Sequence, residues 1–224
     1  MHKQNIIAIA GVLVALFLSV GCSDRTEKVI DIDGNSYKKI QIGSMTWTGS
    51  NCEVTHYRNG DLIPEVKDPK AWSTMTTGAW CYNDNKPENG KVYGRLYNWY
   101  AVTDPRGFAP QGWHVSTDAE WTMLGNLLGG PEKAGGALKT STLWRQINSG
   151  ATNSSGFTAF PAGGRRDNDG TFMQPGEYTR FWTSTESAEK KAWCRSIGYF
   201  DAALRQGEAN KNIGFSVRCV KDTH

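Results

Sequence analysis

Several features that would assign this 224-residue chain to a familiar class are missing. It has no dense run of lysine and arginine, and its 25 basic residues nearly balance its 22 acidic ones, which gives a formal net charge of +3. This balance does not favour nucleic acid as a partner. Glycine does not recur at every third position, which excludes a collagen-like chain. Aromatic residues make up 11% of the chain, which is too many for a disordered segment of low hydrophobicity.

The common signatures of enzyme active sites are also absent. The sequence has no G-x-S-x-G motif, no phosphate-binding glycine loop and no C-x-x-C pair, so a zinc finger is not predicted. Two of the four histidines lie at the chain ends, and the remaining pair, His56 and His114, is too scattered for an iron site with two histidines and a carboxylate. We therefore predict no catalytic residue, no metal site and no cofactor, and we interpret His114 as structural.

The chain begins with a segment that is typical of export. Lys3 supplies a positive charge, and an uncharged apolar run covers residues 6–20. This run is shorter than the ~20 residues of a membrane-spanning helix and suits the hydrophobic region of a signal peptide. Ordinary secretion and an uncleaved membrane anchor remain alternatives to the interpretation that follows.

The apolar run ends at Gly21-Cys22, which resembles the cleavage site of bacterial lipoproteins, where the cysteine becomes the lipidated first residue. We predict a signal peptide over residues 1–21, lipidation of Cys22 and a tether over residues 22–28. The lipid would anchor the protein to the bacterial cell envelope, with the outer membrane as the favoured location.

Four cysteines remain after such a cleavage: Cys52, Cys81, Cys194 and Cys219. An even number in an exported chain permits two disulfides. Because Cys194 and Cys219 lie in two strand-like segments near the end, we favour pairing Cys194 with Cys219 and Cys52 with Cys81. Four buried thiols that never pair are the alternative.

Local patterns predict a mixed α+β chain. Two alternating runs within residues 29–42 flank an Asp-Gly-Asn turn, which predicts a β-hairpin. Thr117 and Glu120 form a capping-box pattern, which predicts a helix from about Asp118 to Leu128.

Other segments predict a loop-rich remainder. Residues 93–102 carry apolar side chains at spacings that suit a short helix. Strands are predicted over residues 181–185, 192–199 and 214–220. There is no internal repeat and no obvious linker, so a single domain is predicted over residues 29–222.

Several motifs occur along the chain in a recognisable order, including DIDGNSYKKIQIG, YGRLYNWYAV, APQGWHVSTDAEW, FWTSTE and NIGFSVRCVKD. In this order of motifs the chain resembles the Fibrobacter succinogenes major paralogous domain. That family consists of exported bacterial proteins that are often lipoproteins. The resemblance spans about Val29 to Asp222. Phe108 and Ser116 depart from the family pattern, in which Cys and Pro are common at these positions. The resemblance implies a fold similar to C-type lectin-like domains and formylglycine-generating enzymes, with a small twisted antiparallel sheet, two flanking helices and long irregular loops.

Export, an anchor, loop-rich architecture and missing catalytic groups favour a lipid-anchored cell-envelope binding module for an extracellular glycan or protein, without catalysis. A structural subunit of a surface fibre or envelope complex is one alternative. A cysteine-dependent oxidase that resembles formylglycine-generating enzymes and relies on Cys194 or Cys219 is another.

Candidate binding residues come from two regions. Three tryptophans lie in or near irregular segments and are expected to be exposed: Trp72, Trp80 and Trp144. Six others lie in motif segments and are expected to pack in the core: Trp47, Trp99, Trp113, Trp121, Trp182 and Trp193. The hairpin between the last strands, which faces the ligand surface in the resembling fold, offers Tyr199, Asp201, Arg205, Asn210, Lys211 and Asn212.

Calcium is a less favoured cofactor. Residues 174–176 (Gln-Pro-Gly) lack the acidic third residue of a lectin calcium triplet. Residues 167–170 (Asp-Asn-Asp-Gly) lack the closing glutamate of a calcium loop and are typical of a turn.

Overall fold

The helix predicted after Thr117 is set by its local sequence. The computed structural model describes residues 27–223 and has this helix at Asp118–Leu127. Thr117 Oγ1 accepts a hydrogen bond from the Glu120 backbone N–H at 3.2 Å, and the Glu120 carboxylate accepts one from the Thr117 N–H at 2.7 Å. These two bonds satisfy N–H groups that a helix start otherwise leaves unpaired, which confirms the predicted capping box.

The predicted N-terminal hairpin is confirmed as well. Strands Lys28–Ile30 and Ser36–Ile42 pair in the antiparallel sense. The Asp31 carboxylate accepts hydrogen bonds from the backbone N–H groups of Asp33 and Asn35 at 3.0 and 2.9 Å, which closes the turn. The predicted signal peptide, Cys22 and most of the tether lie outside the described residues.

Twelve strands are present between residues 27 and 223: β1 Lys28–Ile30, β2 Ser36–Ile42, β3 Met45–Thr48, β4 Trp80–Cys81, β5 Leu96–Tyr97, β6 Trp113–Val115, β7 Gly164–Arg165, β8 Phe172–Met173, β9 Tyr178–Ala188, β10 Lys191–Gly198, β11 Leu204–Asn210 and β12 Cys219–Lys221. The same part of the chain has five α-helices: α1 Pro69–Ser73, α2 Pro87–Tyr93, α3 Trp99–Val102, α4 Asp118–Leu127 and α5 Pro131–Leu138. None of these helices has the length and apolar character needed to cross a membrane.

The chain is a mixed α+β structure whose strand ladders are antiparallel. One sheet has the order β1-β2-β3-β12-β6, so the C-terminal strand β12 lies between the N-terminal strand β3 and the mid-chain strand β6. A second sheet has the order β11-β10-β9, and two further sheets are the pairs β4-β5 and β7-β8.

The second sheet lies between two apolar clusters, because successive side chains of a strand point to opposite faces. On β9, Phe181 packs with Trp47 and Trp121 beneath α4, whereas the next residue, Trp182, packs with Phe215 on the other side. The alternating side chains of β9 therefore contribute to both apolar clusters.

Two predicted elements differ from the structure. Residues 93–102 are not one helix, since Leu96–Tyr97 pairs with β4 and the Asn98 side chain then caps the short helix α3. Of residues 214–220 only the end belongs to a regular strand, and Phe215 and Ser216 make isolated bridges to Tyr97 and Phe181. The strands predicted over residues 181–185 and 192–199 are confirmed within β9 and β10.

Candidate functional site

A cavity of about 630 Å³ opens beside the short β7-β8 hairpin and the start of β9. This volume lies in the range of small-molecule binding sites. We call it the arginine cleft, and it is lined by Gly163, Arg166, Phe172, Met173, Gln174, Glu177, Tyr178 and Arg180.

A buried arginine holds one wall of the arginine cleft in place. Arg165 lies on β7, and its guanidinium donates to the Gly170 and Lys67 carbonyls at 2.9 and 2.8 Å. The same guanidinium lies over the rings of Trp72 and Phe172, with Cζ 4.6 and 4.9 Å from their centroids. Arg165 therefore ties the loop after β7 to the body of the protein and sets the position of Phe172 at the cleft.

The charges in the arginine cleft are unevenly paired. Glu177 forms an ion pair with Arg145 outside the lining. Arg180 Nη1 lies 3.6 Å from Met173 Sδ, and Arg166 Nη1 donates to the Phe172 carbonyl at 3.1 Å. Across residues 27–223, neither Arg166 nor Arg180 forms an ion pair. The cleft therefore presents positive charge.

Tyr178, which lines the cleft, belongs to a chain of three contacting aromatic side chains that we call the aromatic rim: Tyr178, Tyr199 and Phe200. The Phe200 ring makes edge contacts with Tyr178 and Tyr199 at centroid distances of 5.7 and 5.6 Å. Tyr178 and Phe200 are 38% and 45% exposed, and they are the only exposed aromatic residues among residues 27–223. Because Tyr178 belongs to both the cleft and the rim, the two form one continuous surface.

The turn after β10, which carries Tyr199 and Phe200 of the aromatic rim, is held in place by α5 and by Lys139, the residue after it. Lys139 is buried, and its ammonium donates to the Ser149, Gly198 and Asp201 carbonyls at 2.8, 3.1 and 2.7 Å. Burial lowers the pKa of Lys139 to about 8. Gly135 allows the close approach of α5 to this turn, since a Cβ there would lie 2.3 Å from the Ala203 carbonyl oxygen.

Three of the predicted binding residues lie at this rim. Tyr199 lies under the Arg145 guanidinium, with Cζ 5.4 Å from the ring centroid. Asp201 and Arg205 form an ion pair, and the Arg205 guanidinium lies over the Phe200 ring at 5.1 Å. The structure therefore brings Tyr199, Asp201 and Arg205 to the same surface as the arginine cleft.

The other polar candidates lie in a separate groove of about 390 Å³ that Tyr100 and Asp167 also line. Asn210 Nδ2 donates to the Asp167 carboxylate at 2.6 Å, and Asn212 Nδ2 donates to the Ser73 carbonyl at 2.8 Å. Lys211 is buried, pairs with Glu186 and lies over the Trp99 ring. These side chains hold neighbouring loops together, so the groove is a weaker candidate than the cleft.

The tryptophans expected to be exposed are buried, and that prediction is wrong. Trp72 is 0% and Trp80 is 6% exposed, and Trp144 is also buried. The Trp80 indole N–H donates to the Ile63 carbonyl at 2.9 Å, and that of Trp144 donates to the Ala159 carbonyl at 3.2 Å. The irregular segments fold back over these rings, so Trp72 and Trp80 are packing residues and not ligand contacts.

Sequence reasoning missed the residues that build the cleft and two of the three residues of the rim, Tyr178 and Phe200. Phe172 and Arg180 belong to no recognisable sequence motif, because their place in the cleft depends on strands that become neighbours only in the folded protein. Phe200 offered a usable signal: an aromatic residue lies next to Tyr199 in a turn segment, where polar residues are usual.

The predicted cysteine pairing is not what the structure shows. All four cysteines are free and buried. Cys219 Sγ lies 3.4 Å from Cys52 Sγ, so its neighbour is Cys52 and not Cys194. Burial raises the pKa of Cys81 to about 12 and that of Cys194 to about 11, which keeps both as unreactive thiols at neutral pH.

His114 makes the structural contacts expected of it. Its Nε2 lies 2.8 Å from Glu120 Oε1 and its Nδ1 lies 2.7 Å from Asp222 Oδ1. The hydrogen bond with Glu120, reinforced by the one with Asp222, raises the pKa of His114 to about 9 against the opposing effect of burial. The imidazolium therefore links β6 to α4 and to the C-terminal segment.

We expect the His114 contacts to make stability depend on pH. Since the folded protein holds the proton more tightly than the unfolded chain, the stabilisation is complete below about pH 6.5 and is lost as the pH rises towards 9. Because the lowered pKa of Lys139 changes stability in the opposite sense above about pH 8, the readout is the difference in free energy of unfolding between the wild type and His114→Gln in urea, which should shrink as the pH rises from 6 to 9.5. Parallel profiles for the two proteins would contradict the assignment.

The turn at residues 167–170 uses its acidic groups within the chain. Asp169 accepts hydrogen bonds from the Thr171 N–H and hydroxyl at 3.0 and 2.7 Å. No group of three or more His, Cys, Asp or Glu side chains is arranged to hold a metal ion in the described part of the chain.

Comparison with known proteins gives one match. The family model described as the Fibrobacter succinogenes major domain matches residues 40–221. No curated protein and no solved structure matches the chain.

Proposed function

Because the chain belongs to the Fibrobacter succinogenes major domain family, we propose that it is a lipid-anchored binding module of the cell envelope that takes an extracellular glycan at the arginine cleft and aromatic rim. One observation carries the proposal. The only two exposed aromatic side chains of residues 27–223, Tyr178 and Phe200, contact each other, and Tyr178 lines this cavity.

The chemistry of this surface suits a sugar. An aromatic ring buries the apolar face of a pyranose without losing many rotamers, and neighbouring polar groups orient the hydroxyls. Gln174 and Glu177 supply an amide and a carboxylate beside the rings. Exposed aromatic rings cost solvation free energy in the free protein, and a ligand that covers them recovers it.

The proposal includes a lectin-like topology. Two features support it: the C-terminal strand β12 lies between β3 and β6, and α4 and α5 pack together as the two longest helices of the described chain. In such a fold the irregular loops carry the ligand site, and here residues 166–178 form most of the cleft.

The envelope location rests on the sequence at Cys22. We expect Cys22→Ala to abolish incorporation of labelled palmitate and to release the protein from membrane fractions, because the thiol is the lipid acceptor. Cys194→Ala serves as the matched cysteine control and should keep the label. Label that persists in Cys22→Ala would refute the anchor.

The binding claim is tested with the full-length protein, extracted in detergent, on a glycan array. Phe200→Ala and Tyr178→Ala should each weaken binding about tenfold or more, since each removes a stacking surface. Leu62→Ala is the matched control, because Leu62 is 61% exposed and lies outside the cleft and rim. Equal binding by all variants would place the ligand elsewhere.

Two alternatives make different predictions. A structural subunit would show no glycan binding but would cross-link to an envelope protein in intact cells. A cysteine-dependent oxidase that relies on Cys194 or Cys219 needs an accessible thiolate, and the burial and raised pKa values of both thiols favour a binding role instead.

A further inference from the structure

We propose that the glycan carries an anionic group, carboxylate or sulfate, which binds between Arg166 and Arg180 in the arginine cleft; this inference rests on the proposed function. The two side chains line the same cavity and form no ion pair within residues 27–223. A planar guanidinium can bind either group through two parallel hydrogen bonds.

Arg180 is the stronger of the two anchors. It is half-buried on β9, where its guanidinium lies near the Met173 thioether and 5.6 Å from the Phe215 ring centroid. Neither neighbour is a strong hydrogen-bond acceptor, so most N–H groups of Arg180 are left for solvent or a ligand. Partial burial also strengthens an ionic contact there relative to open solvent.

The acidic groups near the cleft are already engaged. Glu177 pairs with Arg145, which offsets its charge. Asp169 is exposed and accepts hydrogen bonds from Thr171, which are the main reason that its pKa is low; the charge of Arg166 contributes less. Glu177 is thus offset by Arg145, and Asp169 is not among the residues that line the cleft, so an incoming anion meets a net positive surface.

The test compares galacturonate oligosaccharides, sulfated galactose oligosaccharides and neutral galactose oligosaccharides of equal length by isothermal titration calorimetry. We expect an acidic series to bind at least about tenfold more tightly than the neutral one, and the preference to shrink from 50 to 300 mM salt. Arg166→Gln and Arg180→Gln should remove the preference, whereas Arg180→Lys should keep part of it. Arg106→Gln is the matched control, because Arg106 is exposed and pairs with Asp61 and Asp104 away from the cleft.

The outcomes separate this inference from the proposed function. Equal binding of acidic and neutral series, sensitive to Phe200→Ala, overturns the anionic ligand and leaves glycan binding intact. No binding of any of the three series overturns the anionic ligand, and glycan binding itself is then decided by the array described above. If Arg180→Gln does not fold, Arg166→Gln and the salt dependence of the wild type decide the matter.

An independent observation concerns Cys52 and Cys219. Their Sγ atoms are 3.4 Å apart, both side chains are buried, and 167 positions separate them along the chain. We infer that the exported protein joins them in a disulfide. The two thiols would lose two protons and two electrons to the disulfide of a thiol-oxidising protein, which becomes a dithiol by exchange.

This bond would link the segment that follows β3 to the first residue of β12. Cys219 begins β12, and the Cys52 backbone N–H donates to the Val217 carbonyl at 2.9 Å. A disulfide needs a sulfur separation near 2.05 Å, so a shift of about 1.4 Å would suffice. Burial raises the pKa of Cys219 well above its ordinary value, so the bond must form before the strand is covered.

The disulfide is tested on protein purified from cell envelopes and alkylated under denaturing conditions with and without reductant. We expect a Cys52–Cys219 linked peptide without reductant, with Cys81 and Cys194 alkylated singly. Cys194→Ser should keep the link, and the double variant Cys52→Ser/Cys219→Ser should melt on the order of 10 °C lower, because a long loop loses its constraint. Four alkylated cysteines without reductant, in protein that is still envelope-located, would overturn the disulfide alone.

Discussion

Replacing Trp182 with alanine should lower the free energy of unfolding by about 3–5 kcal/mol. Trp182 is fully buried on β9 and packs on the Phe215 ring at a centroid distance of 4.7 Å. Its indole N–H donates to the Tyr97 carbonyl at 2.9 Å, so the substitution leaves a cavity and removes one of the two hydrogen bonds that this carbonyl accepts, the other coming from the Phe215 N–H. The confirmed core position of this residue makes the loss large.

The measurement is chemical or thermal unfolding of the detergent-extracted protein, with Trp193→Ala as the matched control. Trp193 lies on the neighbouring strand β10 and is only half-buried. We expect a clearly smaller loss there, because less apolar surface leaves the core. Equal melting temperatures for Trp182→Ala and the wild type would contradict the packing described above.

Arg218→Met should destabilise the protein by a similar amount, about 3–5 kcal/mol. The guanidinium is fully buried and donates to Asn51 Oδ1, the Thr48 carbonyl and the Thr158 carbonyl at 2.7, 2.7 and 3.1 Å. Its Cζ also lies 4.3 Å from the Phe157 ring centroid. Methionine keeps much of the side-chain volume but leaves these three acceptors, two of them on buried residues, without this donor.

Two further variants test whether the planar geometry of the Arg218 guanidinium, and not its charge alone, stabilises the protein. Arg218→Lys should recover only part of the stability, because an ammonium cannot reach three diverging acceptors as a planar guanidinium does. Arg166→Met, at an exposed arginine, should change the free energy of unfolding by less than about 0.5 kcal/mol. If Arg218→Met leaves the free energy of unfolding unchanged, the three acceptors must find other partners.

Elements that depend on near neighbours could be predicted well. The N-terminal hairpin is closed by Asp31 within its own turn, and α4 begins where Thr117 and Glu120 exchange hydrogen bonds. The family relationship was also readable, since its motifs recur in order along the chain.

Elements that depend on distant partners could not be predicted in the same way. The segment around Trp72 looked irregular and open, but Arg165, more than 90 positions later, covers it and binds its loop. The pairing of cysteines failed for the same reason, because β12 brings Cys219 to Cys52 rather than to Cys194. Spacing along the chain carries no information on which strands become neighbours.

The sequence by itself determined the N-terminal turn, the capped helix and the family, because each depends on residues a few positions apart or on an ordered set of motifs. Only the tertiary structure decided which aromatic side chains face solvent and where positive charge collects. It buries Trp72 and Trp80, exposes Tyr178 and Phe200, and places Arg180 in the same cavity as Tyr178. The physical reason is that solvent exposure and pocket shape are set by packing between segments far apart in the chain.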